Sequence, residues 1–389
     1  MTVFQNAKLV FPDKIRTACL AADNGVIVAI SERFDTDGCE VVDCGGLYLS
    51  PGFIDLHVHG GGGRSAMSGN VDDILSMCEA HAYHGTTSVV PTTLAAPVEK
   101  ILKAVKAISE AKRVCTKANI LGVHLEGPYL SYEMRGAQSP ENIITPADFA
   151  PEHFFDCSKD IVMMGAAPEI PGGLALGAEI AKRGITASVA HSNARFSLVE
   201  EALCYGYSDI THIFSACSTI TRENLLRVGG VVEAGLALDA YTTQFIADLR
   251  HLPAELIRLI YKCKGADGAY AITDGLEFAA SDMQEGRVYT QENGMDVVFD
   301  DGVMKLADYS SLAGSVATTG ALLRNLYLSA QLPLYDAVKM LTETPARVAN
   351  VHRRKGALRV GLDADIVLFD EQVNIKLVCV GGSIIRNEL

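Results

Sequence analysis

The chain has 389 residues, of which 49% are hydrophobic and 21% charged, with a formal net charge of −14; that suffices for one large domain plus a smaller one. The acidic balance argues against nucleic-acid binding, which needs a basic surface, and an anionic small substrate would need a local positive cluster to receive it. No apolar run approaches the roughly 18 residues of a membrane span, no basic and then apolar leader opens the N-terminus, and the ten cysteines, scattered from Cys19 to Cys379 without a Cys-x-x-Cys pair, fit free thiols in a reducing cytoplasm.

In chain order, residues 2–50 read as short strands separated by polar turns: Ala7–Phe11, Gly25–Ile30, Val41–Val42 and Leu47–Leu49. From 51 to about 330 the pattern becomes apolar strands alternating with helical stretches, the mark of a parallel α/β fold. Eight strands are predicted, at 52–57, 86–91, 119–125, 161–167, 185–190, 209–214, 243–248 and 269–274, with helices at Val71–His84, Val98–Ala111, Leu174–Arg183, Phe196–Tyr205 and Ala254–Lys264 between them. Eight such units spell a (β/α)8 TIM-type barrel over 51–355. A β-rich insertion follows near 276–308, with turns at Glu292-Asn-Gly294 and Asp300-Asp-Gly302, then two helices near 315–330 and 334–349. The segment 356–389 returns to short strands, so residues 1–50 plus 356–389 are expected to form one small β-sandwich domain from both termini.

The strand ends carry the chemistry. The first strand ends in His57 and His59, and residues two apart in an extended chain face the same side. Glu126 closes the third strand just before Gly127-Pro128, His191 closes the fifth, His212 sits on the sixth and Asp274 closes the eighth. In a barrel these ends converge on one face, where active sites lie. Imidazole nitrogens and carboxylate oxygens at that density suit Zn or Fe as a divalent ion. Such an ion acidifies water and polarises a carbonyl, and a nearby carboxylate can carry the proton between water and leaving group; Asp274 is the residue expected in that role. His124, two residues before Glu126, faces the same side and is expected behind the ligands. His81, His84, His153 and His352 are expected at the surface.

Pro51-Gly-Phe-Ile-Asp-Leu-His-Val-His59, His124-Leu-Glu-Gly-Pro-Tyr129, Ala190-His-Ser192, Thr211-His212, Ile272-Thr-Asp-Gly275, Leu312-Ala-Gly-Ser315 and Gly361-Leu-Asp-Ala-Asp365 resemble the amidohydrolase superfamily. Within it they look like the N-acetylglucosamine-6-phosphate deacetylases, with His-Leu-Glu-Gly-Pro the most specific of these motifs. The resemblance covers nearly the whole chain and implies a metal-dependent hydrolase of amino sugar metabolism. It implies that Glu126, His191 and His212 hold the main ion, that His57 and His59 occupy a second metal position, so one or two ions per subunit, and that Asp274 is the catalytic acid/base. It further implies substrate contacts from Ala137, Gln138, Ser215, Ala216, Arg222, His251, Leu312 and Gly314. Arg222 and His251 fall at or near phosphate contacts, part of which the neighbouring subunit supplies, implying a homodimer.

Four stretches depart from the family pattern, all of them toward the substrate. Gln138 stands where many members have His; Ser215-Ala-Cys217 replaces Asn-Ala-Met; Arg-Glu-Pro-Gly reads Arg222-Glu-Asn-Leu; and Asp-Gly-x-His reads Asp248-Leu-Arg-His251. Gln138 can still hydrogen-bond a sugar hydroxyl, and Ser215, shorter than Asn, leaves room for water or for a different hexosamine. N-acetylgalactosamine 6-phosphate is therefore an alternative substrate. Cyclic-amide hydrolases with a modified lysine on strand four are disfavoured, because Ile161–Glu169 contains no lysine. A non-catalytic barrel scaffold would be expected to have lost ligands that this chain keeps.

Overall fold

The computed structural model describes residues 1–292 and 294–389. Asn293, in the expected turn 292–294, lies outside the described residues. The eight predicted barrel strands appear as Phe53–Val58, Thr86–Thr93, a divided third strand Asn119–Ile120 and Val123–Glu126, Ile161–Ala166, Thr186–Val189, Tyr207–Ile210, Thr242–Ile246 and Ala269–Ile272. Each pairs in parallel with the next in sequence. Closure comes from a parallel bridge between Val58 and Gly275 and from Asp274 N–H donating to His57 O at 2.9 Å. The bond that closes the barrel thus joins two of the predicted site residues.

Several boundaries differ from expectation for local reasons. The third strand is divided at Leu121–Gly122, where the backbone comes so close to the neighbouring strand's approach that a Cβ on Gly122 would lie 2.3 Å from Asp160 O. The sixth strand stops at Ile210, because His212, Phe214 and Ala216 turn the chain out of the sheet with positive φ. The helix expected over 334–349 is two, Leu334–Lys339 and Glu343–Val348. Pro345 could not occupy the interior of one long helix, but it fits the first turn of the second. The insertion forms an antiparallel three-stranded sheet, Val288–Thr290, Asp296–Asp300 and Val303–Leu306. A short exposed hairpin, Thr221–Glu223 with Leu226–Val228, was not foreseen.

Strands from both termini share one eight-stranded sheet. Tyr48–Pro51 runs between the N-terminal strand Thr2–Val10 and the C-terminal strand Ile366–Phe369, antiparallel to the latter. Phe4, Leu9, Leu20, Ile366, Leu368 and Leu377 from its two halves meet in one apolar core. The opposite face sends Val367, Phe369 and Val378 into the main barrel core with Phe53. Only Gly52 separates this sheet from the first barrel strand, and a Cβ there would lie 2.1 Å from the Thr87 hydroxyl. That short, tightly packed junction fixes where the strand bearing His57 begins. Among the described residues no helix is long and apolar enough to cross a membrane, and all ten cysteines are free.

Candidate metal centre and active site

The strand ends bring His57, His59, Glu126, His191, His212 and Asp274 together, all buried. Glu126 is the hub. Its Oε1 lies 2.9 Å from His212 Nε2, 3.1 Å from His191 Nε2 and 3.4 Å from His57 Nε2. Its Oε2 lies 3.4 Å from His59 Nε2. Asp274 Oδ1 approaches His59 Nε2 at 3.1 Å and His57 Nε2 at 3.5 Å. His191, His212 and Asp274 hold φ values of 44°, 26° and 48°, a left-handed region that L-residues enter at a cost of about 1–3 kcal/mol. Sites that hold such backbone must be over-determined by their surroundings.

Those surroundings also fix the imidazole tautomers. His191 Nδ1 donates to Met134 O at 2.8 Å, His212 Nδ1 to Ser215 O at 3.1 Å and His59 Nδ1 to Thr92 O at 3.2 Å. A carbonyl oxygen only accepts, so each proton sits on Nδ1 and each Nε2 turns a lone pair inward. His57 Nδ1 faces Gln244 Oε1 at 3.1 Å in the same sense. His57 Nε2 and His59 Nε2 consequently face each other at 3.2 Å with no proton assigned between them, an arrangement that a shared cation satisfies. Two metal-capable groups result, His57/His59/Glu126 and Glu126/His191/His212, and the ligand atoms of each lie within 4.8 Å of one another. The residues present therefore fit a divalent ion of the Zn or Fe class.

Electrostatics lead to the same place. Burial alone would raise the Glu126 carboxyl, but His57 and His191 hold it well below the ordinary range. Burial likewise opposes ionisation of Asp274, yet His57 and His59 pull it down to about 2. Burial would lower His57, and the Glu126 and Asp274 carboxylates overcome it and lift the ring to about 9. Carboxylates this strongly ionised in a buried site call for positive charge beside them.

Above the cluster opens a cavity of about 420 Å³. His59, Glu126, His191, His212 and Asp274 form its floor, and Ala137, Gln138, Ser215, Ala216, His251, Leu312 and Gly314 line it as expected. Arg222 does not line the cavity; it is exposed on the 221–228 hairpin. Gln138 Nε2 donates to Glu126 Oε2 at 2.6 Å and its Oε1 accepts from Ala95 N–H at 2.8 Å, which leaves one amide N–H and one oxygen lone pair uncommitted. His81 is not at the surface: it is fully buried, and its Nε2 donates to Gly60 O at 2.7 Å beneath the loop that follows His59. His124 does sit behind the ligands, its Nδ1 donating to Leu56 O at 3.1 Å and its ring against that of His57.

Sequence reasoning missed Gln244 and Asp209. Both are polar residues inside otherwise apolar strands, which was the available signal, since a buried polar side chain needs a stated partner. Cys217, one of the family departures, donates to Thr211 O and does not line the cavity.

The amidohydrolase family matches residues 48–203 and 280–385, and the chain belongs to it. That family is metal-dependent, consistent with the two metal-capable groups. The particular relatives are narrower. An N-acetylglucosamine-6-phosphate deacetylase of Caenorhabditis elegans is 31% identical over 88% of this chain and 83% of its own length. The crystal structure of N-acetylglucosamine-6-phosphate deacetylase from Pasteurella multocida superposes with a TM-score of 0.91 at 30% identity, covering 99% of this chain and 100% of that one. A mutant deacetylase from Mycobacterium smegmatis, solved in complex with N-acetyl-D-glucosamine-6-phosphate, gives 0.90 at 26% identity with 99% of both chains covered.

Proposed function

We propose that this chain hydrolyses the acetamide of N-acetylglucosamine 6-phosphate to glucosamine 6-phosphate and acetate. The observation that carries this reading is the Asp274 carboxylate set against a preorganised nitrogen–oxygen cluster at the floor of a sugar-sized cavity. Glu126, His191 and His212 would hold the main ion, and His57 and His59 with Glu126 a second. When bound, such an ion acidifies water and polarises an amide carbonyl. Asp274, ionised because its pKa is about 2, accepts the proton of the attacking water and returns it to the departing amine nitrogen. Gln138 holds the Glu126 carboxylate in place.

Phosphate recognition is read from two features. His251 lines the cavity with Nδ1 donating to Asp248 Oδ2 at 2.7 Å, and that carboxylate outweighs burial to raise the ring's pKa. Among the described residues lining the cavity there is no lysine or arginine. Arg222 and Arg227 instead stand directly opposite each other on the exposed hairpin. Like charges across a strand pair are unfavourable unless an anion lies between or near them, and a guanidinium pair is a good phosphate ligand. The reading is a homodimer in which this hairpin reaches the partner's cavity, in a cytoplasmic enzyme with 1–50 plus 356–389 as a small domain beside the 51–355 barrel.

The test is acetate release by metal-loaded protein offered N-acetylglucosamine 6-phosphate and N-acetylgalactosamine 6-phosphate in parallel. Acetate from the gluco sugar supports the reading. Acetate from the galacto sugar alone moves the substrate to that isomer, and none from either overturns the phosphosugar assignment.

A further inference from the structure

Of the four imidazoles facing the centre, three are tied at Nδ1 by backbone carbonyls, which no side-chain substitution removes. His57 alone of the four is tied by a side chain, Gln244. An amide offers an acceptor at one end and donors at the other, so Gln244 can set the His57 tautomer only if its own orientation is fixed. Asp209 fixes it. Gln244 Nε2 lies 2.8 Å from Asp209 Oδ2, a position where an amide oxygen would face a carboxylate oxygen. Asp209 is held in turn by Ser188 Oγ at 2.8 Å, by Thr242 Oγ1 at 2.6 Å and by the Tyr270 hydroxyl at 3.2 Å. Asp209, Gln244 and the residues that hold Asp209 come from the fifth to the eighth barrel strands; Ser188, Asp209, Gln244 and Tyr270 are buried and Thr242 is half-buried.

We infer that Gln244, oriented by Asp209, is the positioning residue of His57. It keeps the ring proton on Nδ1 and so presents Nε2 to the ion shared with His59 and Glu126. The inference rests on reading the strand ends as a metal centre, and it concerns which ring nitrogen carries the proton, not whether the ring is charged. Partners behind a metal ligand that fix its tautomer change metal affinity by about 10–100-fold when removed. Here that loss should fall on one site only, because His191 and His212 do not depend on Gln244.

The experiment is a zinc-binding isotherm on metal-stripped wild type, Gln244→Met and Gln244→Glu, with thermal midpoints of the metal-free proteins alongside. Methionine keeps the length and loses the amide. Glutamate keeps an acceptor toward His57 Nδ1 and can share a proton with Asp209 through its other oxygen. The expected result is two ions in wild type. In Gln244→Met one ion binds as before and one about 10–100-fold more weakly, and Gln244→Glu stays close to wild type. Unchanged binding of both ions by Gln244→Met overturns the inference, as does equal loss in both variants, which a packing role would give. A wild type that takes one ion overturns the inference but leaves the Glu126/His191/His212 reading standing; a wild type that takes none overturns that reading as well. If Gln244→Met does not fold, the two-bond 1H–15N spectrum of zinc-loaded wild type decides: the His57 proton on Nδ1 supports the inference and on Nε2 overturns it.

Discussion

The floor and the rim of the cavity are completed by different means. At the floor, four imidazoles and two carboxylates converge from five strand ends, and partners in the same chain hold each ring's outer nitrogen. Among the described residues no arginine lines the rim; those that suit a phosphate lie on an exposed hairpin, with Leu225 at its tip and Leu226 beside it 88% and 71% exposed. Large apolar side chains so placed are what an interface covers. The contrast teaches that the proposed bond-breaking machinery is preorganised within one subunit, whereas on the proposed reading recognition of the charged end of the substrate is left to an assembly.

The largest expected effect breaks the floor while sparing the ions. Asp274→Asn removes the proton carrier, so the rate of acetate release should fall by about 10²–10⁴-fold with zinc content by elemental analysis unchanged. A variant that loses its zinc instead would recast Asp274 as chiefly a ligand. The next effect tests the rim: Arg222→Ala should raise KM for the phosphosugar about 10–100-fold, the loss of a charge-assisted hydrogen bond, and leave kcat nearly alone. If sedimentation shows a monomer and the variant's KM is unchanged, the floor–rim contrast loses its second half. Smaller again is Gln138→Ala, which frees Glu126 Oε2 from its donor. Zinc affinity should weaken by about 10-fold, and a pure KM effect would return Gln138 to the sugar.

The smallest effect concerns pH. Burial raises the Asp209 carboxyl to about 6, against the hydrogen bonds from Thr242, Ser188, Gln244 and Tyr270 that lower it. A folded-state value above the unfolded one, about 3.9, means the fold binds this proton more tightly than the unfolded chain does. Its stabilising contribution is therefore full below about pH 4 and is lost as pH rises toward 6. Urea unfolding of metal-free Asp209→Asn and wild type across that window should differ in slope by up to about one proton; parallel slopes would contradict the assignment.

Most of the floor was legible in the sequence, because strand termini are visible as apolar runs that stop and each ligand sits at such a stop. His57 and His59 needed only the two-residue period, and Glu126 only the Gly127-Pro128 that ends its strand. The partners of the ligands were not legible. Met134 O, Ser215 O and Thr92 O are backbone atoms that carry no sequence signature, and Gln244 reaches His57 from 187 positions away. His81 was misjudged because its helix is amphipathic in outline and nothing local shows that the Gly60–Gly61 turn descends onto it; a Cβ on Gly61 would lie 2.6 Å from the His81 ring. The hairpin that carries Arg222 was not foreseen because a three-residue strand pair closed by Asn224 and Leu225, both at positive φ, is too short for periodicity to reveal.

The most direct test of the account is acetate release from N-acetylglucosamine 6-phosphate by metal-stripped protein as zinc is added back. The account predicts no acetate in chelator, a rate that climbs as zinc fills the centre and then saturates, and a flat response from Asp274→Asn. Full activity in the stripped protein, or a zinc-saturated protein that releases no acetate, would contradict it.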